Sequence, residues 1–234
     1  MKREDPDRPM FPSGKTSPPQ TGTGLITRDR LVGALAATLR EKPLVLVVAP
    51  AGYGKTVLLS QAFHQLVDAG EDAVWYNCDR SDIVPQKIGA FLRSRHTAFA
   101  DLGADDNLGL EATAGMVANG LALGLEQSGR HLTVFLENYH LAQSPETNAL
   151  IEALLAIGSP HLHLVISSRS RPTFASRKLA VTGQVEELRV RDLAFTSTEL
   201  DSLARIALPQ TGQRELAGIL ERTEGWPLAI RLFL

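Results

Sequence analysis

Residues 44–56 constrain this chain more than any other stretch. Leu44-Val45-Leu46-Val47-Val48 is an unbroken aliphatic run. It fits a parallel strand buried on both faces. Ala49-Pro50-Ala51-Gly52-Tyr53-Gly54-Lys55-Thr56 follows, and Val57 to Phe63 continues with a helical pattern. A glycine loop between a strand and a helix gathers backbone N–H groups and a helix N-terminus around one anion. Gly52, Tyr53, Gly54, Lys55, Thr56 and Val57 are therefore the expected phosphate cradle. In it Lys55 reaches the outer phosphates and the Thr56 hydroxyl ligates Mg²⁺. The first glycine of the usual spacing is replaced by Ala49, which is also small. Ser13-Gly14-Lys15-Thr16 repeats the Gly-Lys-Thr string without a preceding strand and with prolines on both sides. It is read as a chance match.

The rest of the chain supplies what such a loop needs around it. Apolar runs at 44–48, 73–76, 132–136, 162–167 and 185–190 alternate with helical patterns near 56–69, 84–100, 111–127 and 145–157. Ser144 before Pro145 opens the last of these helices with a capping hydroxyl and a residue that needs no donor. A helix also fits Asp29 to Leu39. Strands separated by helices of this length predict an α/β fold with a doubly wound, parallel, five-stranded sheet. Residues 1–24 hold five prolines and three glycines and are expected to be a disordered tail. Residues 25–192 are then the nucleotide-binding domain. From 193 to 234 the pattern turns helical, opened by the capping box Thr196-Ser197-Thr198-Glu199 and turned again at Glu224-Gly225-Trp226-Pro227. This predicts a small C-terminal helical subdomain that looks truncated at Leu234. Residues 100–110 read as a surface loop.

Bulk properties narrow the partners. A net charge of −2 gives no electrostatic case for direct DNA binding by this segment. One cysteine, Cys78, excludes an intramolecular disulfide and reads as a small core residue. No run is apolar enough for a membrane span, and no signal peptide opens the chain, so a cytoplasmic location is expected.

Two more strand ends carry polar groups. Leu132 to Leu136 leads into Glu137-Asn138-Tyr139-His140, where nucleotide-hydrolysing folds of this kind end in two acidic residues. Glu137 can serve the metal. Asn138 can orient a water and cannot accept its proton. Leu164 to Ser168 leads into Arg169, a cation expected at the γ-phosphate side of the crevice, with Arg171 and Arg177 as competitors.

Pro50 to Thr56, Tyr139-His140, Ser168-Arg169, Leu193-Ala194-Phe195-Thr196 and Gly225-Trp226 together resemble the ATPase domain of MalT-type regulators, LuxR-family activators of the STAND class. The resemblance covers about residues 25–234. It implies an AAA-like P-loop domain backed by a helical subdomain, with ADP holding a closed monomer and ATP favouring an open form that self-associates. It further implies that Ile26 and Arg28 lie near the adenine and that Pro227 closes over the nucleotide. Glu137-Asn138 departs from the acidic pair of that pattern. The expectation is an ATP/ADP-binding switch with slow hydrolysis. The alternatives are a true ATPase and, less favoured for want of a second anion cluster, a small-molecule phosphotransferase.

Overall fold

In the computed structural model the described residues are 11–20, 22, 24–95, 110–174, 183–207 and 212–234. The sheet is built from β1 (Leu44–Val48), β2 (Asp72–Asn77), β3 (Leu132–Glu137), β4 (Leu162–Ser168) and β5 (Val185–Leu188). All neighbours run parallel in the order β2-β3-β4-β1-β5. The central strands are buried along nearly their whole length. That is why they read as continuous apolar runs rather than alternating ones.

A single helical turn, α1 (Ser13–Thr16), precedes α2 (Asp29–Thr38) and α3 (Lys55–Asp68). Next come α4 (Pro85–Arg95), α5 (Leu110–Ser128) and α6 (Pro145–Ala156). One face of the sheet, with Leu44, Leu46, Leu136, Leu164 and Ile166, packs against α4, α5 and α6. The other, with Val45, Val47, Phe135 and Val165, packs against α2 and α3. The two faces of β1 thus feed two cores, which is the layered arrangement of a doubly wound fold.

The C-terminal helices α7 (Val190–Leu193), α8 (Ser197–Ala207), α9 (Gln213–Thr223) and α10 (Pro227–Phe233) follow the sheet. Leu200, Leu203, Leu216, Ile219 and Ile230 form a separate small core, with Ile26, Phe195 and Leu234 against it.

Two expectations need correction. Residues 11–20 are not a free tail: Phe11 packs edge-on against Tyr76 and Phe91, and Lys15 pairs with Asp79 and Asp82. An aromatic ring and a paired cation supply the burial that the proline-rich composition concealed. The strand expected over 185–190 ends at Leu188, because the Arg189 N–H donates to the Asp192 carboxylate and starts α7 at Val190. The helix expected over 84–100 is seen from Pro85 to Arg95; residues 96–109, including most of the expected loop, lie outside the described residues.

Candidate nucleotide site

The C-terminal ends of β1, β3 and β4 meet at one crevice, where open parallel sheets take their ligands. β1 delivers the glycine loop. Gly52 and Gly54 have φ of +85° and +74°, a conformation only glycine adopts without strain. Gly54 is followed directly by α3, so the loop's N–H groups and the helix N-terminus share one focus. The Lys55 ammonium, nearly buried, donates to the carbonyls of Ala49 (2.7 Å) and Pro50 (2.9 Å). Burial depresses its pKa, Glu137 opposes that, and Arg169 adds to it. It is a cation held at the loop mouth by hydrogen bonds to two carbonyl dipoles.

β3 delivers Glu137, which is 2% exposed. The Thr56 hydroxyl donates to its Oε1 at 2.5 Å, and the Ser167 hydroxyl from β4 donates to Oε2 at 2.5 Å. Burial raises the Glu137 pKa against the pull of those two hydroxyls and Lys55. Thr56 and Glu137 present hard oxygens side by side, the donor set Mg²⁺ takes. The residues present therefore fit the expected metal.

Asn138 takes a left-handed conformation (φ 58°). Its N–H donates to the Ser167 hydroxyl at 3.1 Å, and its side-chain amide donates to Asn77 Oδ1 on β2 at 3.0 Å. Both contacts turn it into a fixed polar group beside Glu137. His140 lies close enough to Arg169 and Lys55 for them to depress its pKa, after burial.

Arg169 lines the same crevice and is exposed. Its competitor Arg171 is engaged with Glu187 at 3.4 Å. Arg177 lies outside the described residues.

The helical subdomain forms the opposite wall. A cavity of about 350 Å³ runs between Lys55, Thr56, Glu137, Asn138 and Arg169 at its polar end and Ile26, Phe195, Leu203, Pro227 and Leu228 at its apolar end. Gly52 O accepts from the Leu228 N–H at 3.1 Å, and Tyr53 stacks on Trp226 with ring centroids 6.3 Å apart. Tyr53 thus faces the helical wall and is not among the residues lining the cavity. Arg28 reaches the cavity, yet its guanidinium is spent elsewhere. It donates to both carboxylate oxygens of Glu199 (3.1 and 3.0 Å) and to the carbonyls of Leu193 and Ala194. Its backbone N–H and the Ile26 carbonyl are both clipped by the Gln61 side-chain amide.

Sequence reasoning missed Ser167, Asn77, Gln61, Phe195, Leu203, Leu228 and Arg231. Ser167 was findable: a hydroxyl that follows the apolar run Leu164-Val165-Ile166, in a strand buried throughout and beside the strand that carries Glu137, points to the site. The rest enter through folding over distance and leave no local mark.

No family model matches the chain. It is 29% identical over 230 residues to the HTH-type transcriptional regulator MalT of Serratia proteamaculans, which covers 95% of this chain and 25% of that protein. The chain is related to the MalT regulators. A second MalT, from Cronobacter sakazakii, is 28% identical over 231 residues. The serine/threonine-protein kinase PknK of Mycobacterium tuberculosis is 26% identical over 96% of this chain and 21% of its own length. The chain thus spans about a quarter or less of the curated relatives it matches. Among solved structures, the Orc1 protein of Aeropyrum pernix superposes with a TM-score of 0.53 at 17% identity, covering 86% of this chain and 60% of that one. Cdc6p of Pyrobaculum aerophilum gives 0.52 at 17% identity, covering 93% and 62%. The fold is that of AAA-like P-loop ATPases, as the MalT resemblance implied.

Proposed function

We propose that this MalT-related chain is a nucleotide-dependent switch module that binds ATP and ADP with Mg²⁺ and hydrolyses ATP slowly. The observation that supports it best is the cavity itself. One wall carries Lys55, Thr56 and Glu137, and the other carries Pro227 and Leu228. Phosphates bind to the sheet-side wall and the base rests among apolar side chains near Ile26 and Phe195. Pro227 and Leu228 of α10 then close over a nucleotide that the loop holds.

Mg²⁺, when bound, neutralises phosphate charge and fixes the outer phosphates. Thr56 and Glu137 hold it, Lys55 exchanges two loop carbonyls for an anionic oxygen, and Arg169 meets the γ-phosphate. Asn138 orients a water without taking its proton, so bond cleavage lacks the general-base contribution of about 10²–10⁴-fold. A slow chemical step suits a module whose output depends on which nucleotide is held, with self-association in the ATP form. The larger proteins it resembles are named HTH-type transcriptional regulators. This segment, with a net charge of −2, is assigned no DNA contact.

Calorimetric titration with Mg·ATP and Mg·ADP tests the assignment. Lys55→Ala removes a charge-assisted contact of roughly 1.5–3 kcal/mol, so affinity falls about ten- to a hundred-fold. Equal affinity in the variant would place the nucleotide elsewhere.

A further inference from the structure

The second Gly-Lys-Thr string, set aside as a chance match, brings its lysine to a built site far from the glycine loop. Lys15 Nζ lies 2.7 Å from Asp79 Oδ2 and 2.8 Å from Asp82. It also stands 5.2 Å from the centroid of the Tyr76 ring, whose hydroxyl donates to Asp82 Oδ1 at 2.9 Å. Two carboxylates and an aromatic face around one ammonium form a cage of the kind that selects alkylammonium groups. Asp82 is 0% exposed, and Lys15 is its ion-pair partner among the described residues. A carboxylate that deeply buried needs a cation. Phe11, four positions earlier, seats its ring edge-on to Phe91 (5.7 Å) and Tyr76 (6.1 Å) beside the cage.

The occupant is less buried than the site. α1 is one turn long and contributes no buried residue, whereas Tyr76, Asp82 and Phe91 are at 0% exposure in the body of the fold. Segments with few buried contacts open locally at much lower free energy than the whole molecule. Tyr76 lies on β2, an outer strand of the sheet, and Asp79 and Asp82 follow the end of that strand. Outer strands are covered in stable proteins because their free backbone groups pair with other chains.

We propose that Tyr76, Asp79, Asp82 and Phe91 form a peptide-binding site that recognises an aromatic residue followed four positions later by a lysine, and that residues 11–16 fill it in cis as a releasable latch. Asp79 lies two residues beyond Asn77, which holds Asn138, so exchange of the latch for another segment acts on the strand whose last residue holds Asn138. Burial works against the charge on Lys15, and its hydrogen bonds to Asp79 and Asp82 outweigh that and hold its pKa above the ordinary lysine value.

The full chain carrying Phe11→Ala and Lys15→Ala is the reagent. A labelled peptide of residues 9–18 is titrated into it and followed by fluorescence anisotropy. Saturable binding is expected, at least tenfold weaker for the same peptide with Lys15→Ala and at least tenfold weaker toward the unaltered chain, whose cage is filled. In Lys15→Ala alone, n-propylammonium chloride is expected to restore the thermal midpoint, while tetramethylammonium chloride at equal ionic strength does not. Peptide binding that ignores the lysine, or that is equal for altered and unaltered chains, overturns the proposal, as does rescue by any salt. If the double variant lacks cooperative unfolding, hydrogen exchange on the unaltered chain decides. Amides of residues 11–16 that exchange well before the β3 core support a releasable latch. Exchange only on global unfolding refutes it.

Discussion

In the proposed switch Glu137 and Asn138 stand where the usual pattern has two acids, and their surroundings differ. Glu137 is buried and already served by the hydroxyls of Thr56 and Ser167, so its carboxylate has defined donors on both oxygens. Asn138 is pinned to Asn77 and Ser167. Arg169 is the exposed cation of this group, and solvent screens it, so its contribution sits at the lower end of charge-assisted contacts, about 1.5 kcal/mol. Arg169→Ala is therefore expected to weaken ATP about tenfold and leave ADP unchanged in parallel calorimetric titrations. Equal losses for both nucleotides would make Arg169 a structural residue. The positions of Lys55, Thr56 and Glu137 were legible because each follows a strand whose apolar run ends abruptly. The role of Arg28 was only half legible. It does reach the cavity, but its guanidinium makes four hydrogen bonds, to Glu199 and two carbonyls from a segment 165 and more residues away.

Among the elements, the contacts between the glycine loop and α10 and between Arg28 and α8 join the helical wall to the sheet. Glu199 is both the capping residue of α8, accepting from the Thr196 N–H at 2.9 Å, and the partner of a guanidinium that is 3% exposed. Burial alone would raise the Glu199 pKa; the hydrogen bonds from Arg28 and Thr196 reverse that and leave it lowered from 4.5. A depressed carboxylate stabilises the fold fully above its unfolded value, and that stability is lost as pH falls through the lower folded value. Glu199→Gln leaves Arg28 buried without its counter-charge, a loss of about 3–5 kcal/mol near neutrality. Thermal midpoints of the two proteins should differ most near pH 7 and converge as pH falls below that of an ordinary carboxylate. A difference independent of pH would mean that the pair is not what holds α8. At the other contact, a Cβ on Gly52 would lie 2.7 Å from Trp226 Nε1 and 2.8 Å from Leu228 Cβ, with φ at +85°. Gly52→Ala must push α10 off the loop. It is expected to red-shift the Trp226 emission and weaken both nucleotides, while the far-ultraviolet dichroism stays that of the native fold. An unchanged emission would show that the loop and α10 do not press on each other in solution.

At the scale of the molecule, sheet and helical layers were readable because their periodicities are local: five apolar runs, a capping box at 196–199 and a turn at 224–227 each carry their own signal. What joins them was not. The Gln61 clip, the Gly52–Trp226 approach and the docking of residues 11–16 depend on groups tens of residues apart. A proline-rich composition at the N-terminus argued for disorder while one phenylalanine and one lysine decided otherwise. The proposed switch binds ATP well and breaks it slowly, because Asn138 stands where a proton acceptor is needed. Loss of the γ-phosphate from bound Mg·ATP, measured in a single turnover for the native chain and for Asn138→Asp, tests this most directly. Aspartate also tolerates the left-handed conformation at 138 and can take the amide of Asn77 as donor. The native rate is expected to lie well below about 10 per second, a typical enzyme turnover, and the variant to be faster with nearly unchanged ATP affinity. A native rate near that figure, or a variant no faster, would contradict it.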